Sequence, residues 1–291
     1  MKPVWAPNNF CGLGFRALAF LLAFAGPSTA QTRPELVATD RLRVCADPGD
    51  LPFSNKAKEG FENKIAEILA DELKLPLHYY WQPQGPGFVR LTLGTGLCDL
   101  IMGYAVGADI VDHTNAYYAS TYVLVTKKGG PLDGIDRLED PRLKDHKLGV
   151  VAGTPPSDHF LRLGLAAGAK SYPLVVDRRY LSPAEDALED VQTGVTDGAV
   201  LWGPIGGYFA KKAKMPLTVT PLREDTRPLF SFRIAFGIRH NEPEWKHRLN
   251  AAIRKRQDDI AAVLTSYGVP LTPIDSVPAE APARKSPDGA E

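Results

Sequence analysis

The sequence predicts an α/β protein of two lobes, each a mostly parallel sheet flanked by helices. Three observations predict it. Between Leu42 and Gly103, apolar runs of strand length alternate with segments of helical periodicity, the order that lays a parallel sheet under helices. After Gly129-Gly130 the same alternation starts again, at Lys147. A late β-rich run, residues 231–238, then turns back toward the first unit ahead of two amphipathic helices.

Residues 1–30 read as an export signal. Lys2 and Arg16 give a basic start, residues 17–25 an apolar stretch too short to cross a bilayer, and Ser28-Thr29-Ala30 a small-residue cleavage site. The mature chain is then expected to start at Gln31 in the periplasm, with no membrane anchor after processing. The 34 acidic residues balance the 34 basic ones, so the basic excess of a nucleic-acid-binding protein is missing.

Residues 42–46 (LRVCA) are the first strand, and residues 47–55 (DPGDLPFSN) a proline-rich loop. Gly60-Phe61-Glu62 opens a helix. Its Phe61, Ile65, Ile68, Leu69 and Leu73 share one face, while Glu62, Lys64, Glu67 and Asp71 take the other. LHYYW (77–81) is a strand, and residues 82–87 a Pro/Gly turn. A helical segment from Phe88 closes on Gly94 and Gly96. Leu100-Ile101-Met102 is a buried strand, and residues 117–126, dense in Tyr, Thr and Val, another.

In the second unit, residues 147–154 (KLGVVAGT) form a strand running into a glycine turn. A helix over 157–165, a strand at 174–176, a helix over 183–193 and a strand at 198–202 follow. Gly203-Pro204-Ile205-Gly206-Gly207 reads as a turn that brings backbone near a cleft, and 217–219 as a short strand. The helix from Pro243 carries Trp245, Leu249, Ala252 and Ile253, and its continuation Ile260, Val263, Leu264 and Tyr267. Both should pack on the first unit. Residues 276–291, rich in Pro, Ala and charge, read as a disordered tail.

No catalytic constellation is present: G-x-S-x-G, H-E-x-x-H and the phosphate-loop motif are all missing. The chain is therefore expected to be no enzyme, with no cofactor and no metal. His113 and His159 fall in predicted turns and read as solvated. Asp109 and Asp112 fall short of the 6–8 oxygens that calcium takes. Cys11 leaves with the signal. Cys45 and Cys98, in an oxidising compartment, leave two outcomes open: a bridge or two buried thiols.

Asp47, Pro52, Phe53, Gly60, Phe61 and Glu62, followed by Asp112, Tyr117 and Tyr118 and then by KLGVVAGT, make the chain resemble the periplasmic solute-binding proteins of the amino-acid-binding type (family 3-like). The resemblance implies a type II, Venus-flytrap architecture. Lobe 1 would comprise residues 31–126 and 230–275 and lobe 2 residues 127–229, with crossings near 126–130 and 228–232. It also implies a cleft lined by Asp47, Phe53, Trp81, Tyr104, Gly107, Tyr117, Thr154 and Trp202. In that family an arginine clamps the ligand carboxylate and an aspartate the ammonium; here those positions fall on Gly107 and Trp202. Losing one partner of a buried charge pair costs roughly 2–5 kcal/mol, more than tenfold in affinity. Free amino acids are therefore not expected to bind in what reads as an uncharged, aromatic cleft.

Residues 43–55, 60–66, 96–103 and 197–208 further resemble a narrower group, the solute-binding-like "J" proteins associated with quinoprotein dehydrogenases in methanol oxidation. That resemblance implies an accessory factor that meets a pyrroloquinoline-quinone-dependent periplasmic methanol or alcohol dehydrogenase and serves its maturation or activation by protein–protein contact. The alternative is a receptor delivering an apolar or quinone-like small molecule to an ABC transporter.

Overall fold

A computed structural model describes residues 35–107, 110–177 and 180–278. The export signal expected at residues 1–30 and the tail from residue 279 lie outside the described residues. Among the described residues no helix is long and apolar enough to cross a membrane.

Lobe 1 begins with β1 (Leu42–Ala46), the hairpin β2 (Gly49–Asp50) and β3 (Ser54–Asn55), α1 (Phe61–Leu73), β4 (Leu77–Trp81), the single turn α2 (Phe88–Leu91) and β5 (Leu100–Ala105). After β6 (Asp112–His113), β7 (Tyr118–Lys127) leads into lobe 2. Lobe 2 holds β8 (Leu148–Val151), α3 (Pro155–Arg162), β9 (Lys170–Tyr172), α4 (Pro183–Thr193), β10 (Gly198–Trp202), α5 (Gly203–Lys212) and β11 (Leu217–Pro221). β12 (Ser231–Ile238) returns to lobe 1, where α6 (Pro243–Lys255) and α7 (Gln257–Ser266) follow.

The strands lie in the order β4-β1-β5-β12-β7-β10-β8-β9. β4, β1 and β5 are parallel, as are β10, β8 and β9; β12 and β7 join the two sets antiparallel. In lobe 1, Phe61, Ile65 and Leu69 of α1 meet Trp245 and Leu249 of α6 and Leu264 of α7 in one core. Lobe 2 buries both faces of its sheet. Leu124 and Val200 face a core with Phe160 and Phe230, whereas their neighbours Val123, Val125, Ala199 and Leu201 face Leu188 and Val191, the alternation a pleated strand imposes.

β7 is one unbroken strand. It pairs with β12 through Thr121 and with β10 from Tyr122 onward. The outward crossing therefore falls at Thr121–Tyr122, ahead of the 126–130 expected, because Gly129-Gly130 ends the strand instead of marking the change of lobe. The return comes at Ser231, opposite Thr121. A further contact backs the crossing. The chain after α7 runs along β7, with the Thr272 amide donating to Ala119 O (3.0 Å) and the Ser120 hydroxyl to Pro270 O (2.6 Å). It also presses on α5: a Cβ at Gly207 would fall 1.9 Å from Gly268 O, and one at Gly203 2.8 Å from Pro270 Cγ. The expected glycine turn at 203–207 is thus the first half of a helix. Its glycines admit the backbone behind the hinge, away from the cleft.

Two further expectations change. Residues 174–176 form no strand; β9 lies earlier, and Leu174 and Val175 are 46% and 75% exposed. Three consecutive apolar residues carry no periodicity that could have separated a buried strand from an apolar loop. The chain is also ordered past Ser276: Val277 is buried and its carbonyl accepts from Arg233 Nε at 2.6 Å.

Candidate functional site

Between the lobes lies a cavity of about 920 Å³, within the range of roughly 300–1,000 Å³ usual for ligand pockets. Its lobe 1 wall begins at the loop after β1. There the Asp47 carboxylate accepts the amides of Gly49 (2.8 Å) and Gln84 (2.6 Å), which fixes the turn. The start of α1 is locked onto the same loop. The Phe61 and Glu62 amides donate to Pro52 O (2.8 Å) and Phe53 O (2.9 Å), and Asn63 Oδ1 accepts from Asn55 N (3.1 Å) and Gly60 N (3.2 Å). Gly60 is required, since a Cβ would fall 2.0 Å from Phe53 O. The G-F-E triplet is thereby explained residue by residue: Gly60 admits the loop, Phe61 fills the core, and Glu62 faces the cleft.

Glu62 is therefore a correction. It was expected on the solvent face of α1, yet it is 95% buried by its 5% exposure, and its carboxyl is pushed up to about 8, mainly by desolvation and secondly by the charge of Asp47. A carboxyl at a helix N-terminus ordinarily gains from the helix dipole, but here burial outweighs that gain. The uncharged cleft is corrected with it. The described lining residues include Asp50, Glu62, Glu185 and Asp186, and no Lys or Arg is among them.

Of the residues expected to line the cleft, Phe53, Thr154 and Trp202 do so. Thr154 sits at the head of α3 with its hydroxyl donating to Val151 O at 2.7 Å. Trp202 ends β10 and packs edge-on against Tyr122 (5.3 Å) and Phe232 (5.8 Å), one from each crossing strand. The other five do not line the cavity. Asp47 is occupied by the turn amides. Trp81 ends the edge strand β4, stacked on Tyr79 at 4.5 Å. Gly103 and Ala105 of β5 face the cavity, so the alternation turns Tyr104 to the opposite side, toward the cluster holding Cys45 and Cys98. Tyr117 is fully buried and stacks on Phe236 at 4.3 Å, while Tyr118 faces the cleft. Gly107 lies in the turn beyond β5 with φ +101°. Tyr118, Tyr122, Phe232 and Glu62 are the lining residues that the sequence reading missed. Choosing one of adjacent tyrosines requires the strand's phase, which an apolar run of this kind does not give.

Beneath this wall, Cys45 and Cys98 are bridged, with Cα atoms 5.5 Å apart. Next to the bridge the buried Asp99 accepts from Arg43 (2.7 and 2.6 Å) and Arg239 (2.7 Å), and Arg239 also meets Glu242 at 2.8 Å.

Lobe 2 holds a different ionic group away from the cavity. His159 is buried in α3, not solvated in a turn. Its Nε2 donates to Pro228 O (2.9 Å), and its Nδ1 lies 2.9 Å from Glu224 Oε2. Glu139 completes a cluster whose ligand atoms lie within 4.8 Å of one another. Arg162 Nη2 already stands 2.8 Å from Nδ1, so its charge occupies the position a cation would need. Asp112 pairs with Lys246 at 2.8 Å, and Asp109 lies outside the described residues.

No family model matches the chain. MoxJ of Methylorubrum extorquens AM1 is 30% identical over 284 residues, covering 89% of this chain and 94% of that protein. The crystal structure of the periplasmic binding protein XoxJ from Methylobacterium extorquens AM1 is similar at 45% identity with a TM-score of 0.69, covering 80% of this chain and 99% of XoxJ. An ancestral cationic amino acid solute binding protein shares the fold at 24% identity and TM-score 0.61, covering 78% of this chain and 95% of its own.

Proposed function

The chain belongs to the MoxJ family of periplasmic binding proteins, and from that premise we propose that it is an accessory factor of a quinoprotein methanol or alcohol dehydrogenase. It acts in the periplasm, after export, by binding the dehydrogenase or an immature form of it through the inter-lobe cleft. Its work is binding, in support of the dehydrogenase's maturation or activation; it carries out no chemistry of its own.

The observation that carries this reading is Trp202. By the resemblance it takes the place of an amino-acid receptor's ammonium-binding carboxylate, and its ring joins Tyr122 and Phe232, one from each crossing strand, in an aromatic cluster. Aromatic side chains in concave, desolvated positions are the usual anchors of protein interfaces. The rim of lobe 2 adds exposed apolar residues, Leu174, Val175, Tyr180 and Leu181, beside the same opening. The test is a pull-down from the periplasm of methanol-grown cells with this chain as bait. The dehydrogenase is expected to co-purify with wild type and to be lost or sharply reduced with Trp202→Ala. No dehydrogenase with wild type counts against the reading.

One observation favours a second reading, a receptor for an apolar or quinone-like solute: the cavity of about 920 Å³ is large enough for a whole small molecule. Mass spectrometry of the protein taken directly from periplasm separates the two. A stoichiometric small molecule without the dehydrogenase favours the receptor.

A further inference from the structure

We propose that the cleft takes an organic cation, an ammonium or guanidinium on an apolar stem, with the Glu62 carboxyl as its counter-ion. This rests on the reading of the cleft as the working surface and names the chemistry it accepts. The cation has two sources, a lysine or arginine side chain of the partner or a free organic amine.

Four other buried acids among the described residues have partners on neighbouring groups. Asp47 holds two amides, Asp99 two arginines, Glu242 Arg239, and Glu224 the hydroxyl and amide of Thr226. Glu62 is 5% exposed, and its carboxyl has neither hydrogen bond nor ion pair among the described residues. Leaving a buried carboxyl without a partner is costly, and an unpaired polar group in a cavity wall is where a ligand group would supply the missing partner. Space for the carboxyl is built in: a Cβ at Gly103 would fall 2.1 Å from Glu62 Oε1.

The surroundings select the sign of the ligand. Phe53, Tyr118, Trp202 and Phe232 line the same cavity and offer ring faces that attract cations. Glu185 and Asp186 line the same cavity as Glu62, and two further acidic groups disfavour a carboxylate ligand. Around Glu62 itself, the titratable neighbours are Asp47 below and Tyr79, Tyr117 and Tyr118 beside it, none of them basic. At neutral pH the empty site holds a proton on Glu62. The arriving cation replaces it: the O–H bond breaks, the proton goes to solvent, and the carboxylate pairs with the cation.

The test uses n-butylguanidinium, charged at every accessible pH, and its neutral analogue n-butylurea, titrated calorimetrically into the full chain. Butylguanidinium is expected to bind and butylurea not to. Glu62→Gln, which keeps a donor but cannot become an anion, is expected to lose at least tenfold in affinity. For wild type, affinity should tighten roughly tenfold or more between pH 6.5 and 8.5 as Glu62 ionises, a readout that needs no variant to fold. Equal binding of butylurea, undiminished binding by Glu62→Gln, a flat pH profile or no binding by about 10 mM overturns the inference. Undiminished binding by Glu62→Gln would mean that a neutral acceptor or the ring faces hold the cation, with no counter-ion involved. Competition by butylguanidinium against captured dehydrogenase marks the cation as a side chain of the partner, and an amine found by mass spectrometry marks it as a free ligand; both support the inference. Purified protein suffices for the titrations, so their failure leaves the accessory role standing, and failure of the pull-down leaves the cation site standing.

Discussion

Lobe 1 presents its wall of the cleft from a cross-linked base, whereas lobe 2 presents a rim of exposed apolar side chains. In lobe 1 the Cys45–Cys98 bridge ties β1 to the turn just ahead of β5, and one residue further on Asp99 binds two arginines. In lobe 2 the buried acid Glu224 faces His159, and the rim residues Val175 and Tyr180 are 75% and 79% exposed. The difference lies in what each pairing loses when broken. Arg43 and Arg239 carry fixed charges that both converge on Asp99, whereas Glu224 also holds the amide and hydroxyl of Thr226 and is not tied to its histidine alone.

Removing Asp99 gives the largest effect. Asp99→Ala takes the buried carboxylate away from two partly buried guanidinium groups and is expected to cost about 3 kcal/mol of unfolding free energy. The corresponding change in lobe 2, Glu224→Gln, is expected to cost about 1–2 kcal/mol. Urea midpoints of the two variants check this order, and equal costs would break the contrast between the lobes.

Replacing both Cys45 and Cys98 by Ala comes next. With the cysteines 53 positions apart in sequence, the loop-entropy account gives a loss of about 4 kcal/mol, reduced wherever the two small side chains leave the native packing undisturbed. Urea unfolding of the double variant under non-reducing conditions measures it, and a loss below about 1 kcal/mol would mean that β1 and β5 need no staple.

Glu62→Gln has a smaller effect, and its sign depends on pH. Desolvation first and Asp47 second hold the Glu62 carboxyl at about 8 in the folded protein, against 4.5 for the free group. The folded state therefore keeps a proton that the unfolded chain releases. The stability this proton brings is whole below about 4.5 and lost as pH rises through about 8. The variant has nothing to lose over that window, so its melting temperature should gain on wild type, on the order of several degrees between pH 5 and pH 8.5. A difference that does not change with pH would place Glu62 in contact with solvent and take the strain out of the lobe 1 wall.

Much of this architecture was legible in the sequence, for reasons visible in particular elements. The strands at 42–46, 77–81, 198–202 and 231–238 agree with their expected spans, because each is a β-rich run bounded by turn residues. The amphipathic stripe of α1 marked Phe61, Ile65 and Leu69 as core. What stayed hidden depends on phase or on distant partners. Tyr117 and Tyr118 are chemically alike, and only the pairing of β7 with β12 decides which faces the cleft. Glu62 lies on the polar face of its helix by periodicity, and it is buried because the loop carrying Phe53 folds over the helix start. His159 was expected to be solvated because the partners that bury it, Glu224 and Pro228, are far along the chain.

The accessory role itself is tested most directly by measuring how much of the periplasmic methanol dehydrogenase carries its quinone and is active in cells that lack this chain. The account predicts a marked fall in the loaded, active fraction, restored by the wild-type gene and not by a gene encoding Trp202→Ala of verified fold. An unchanged loaded fraction and unchanged activity in the deletion strain would contradict it.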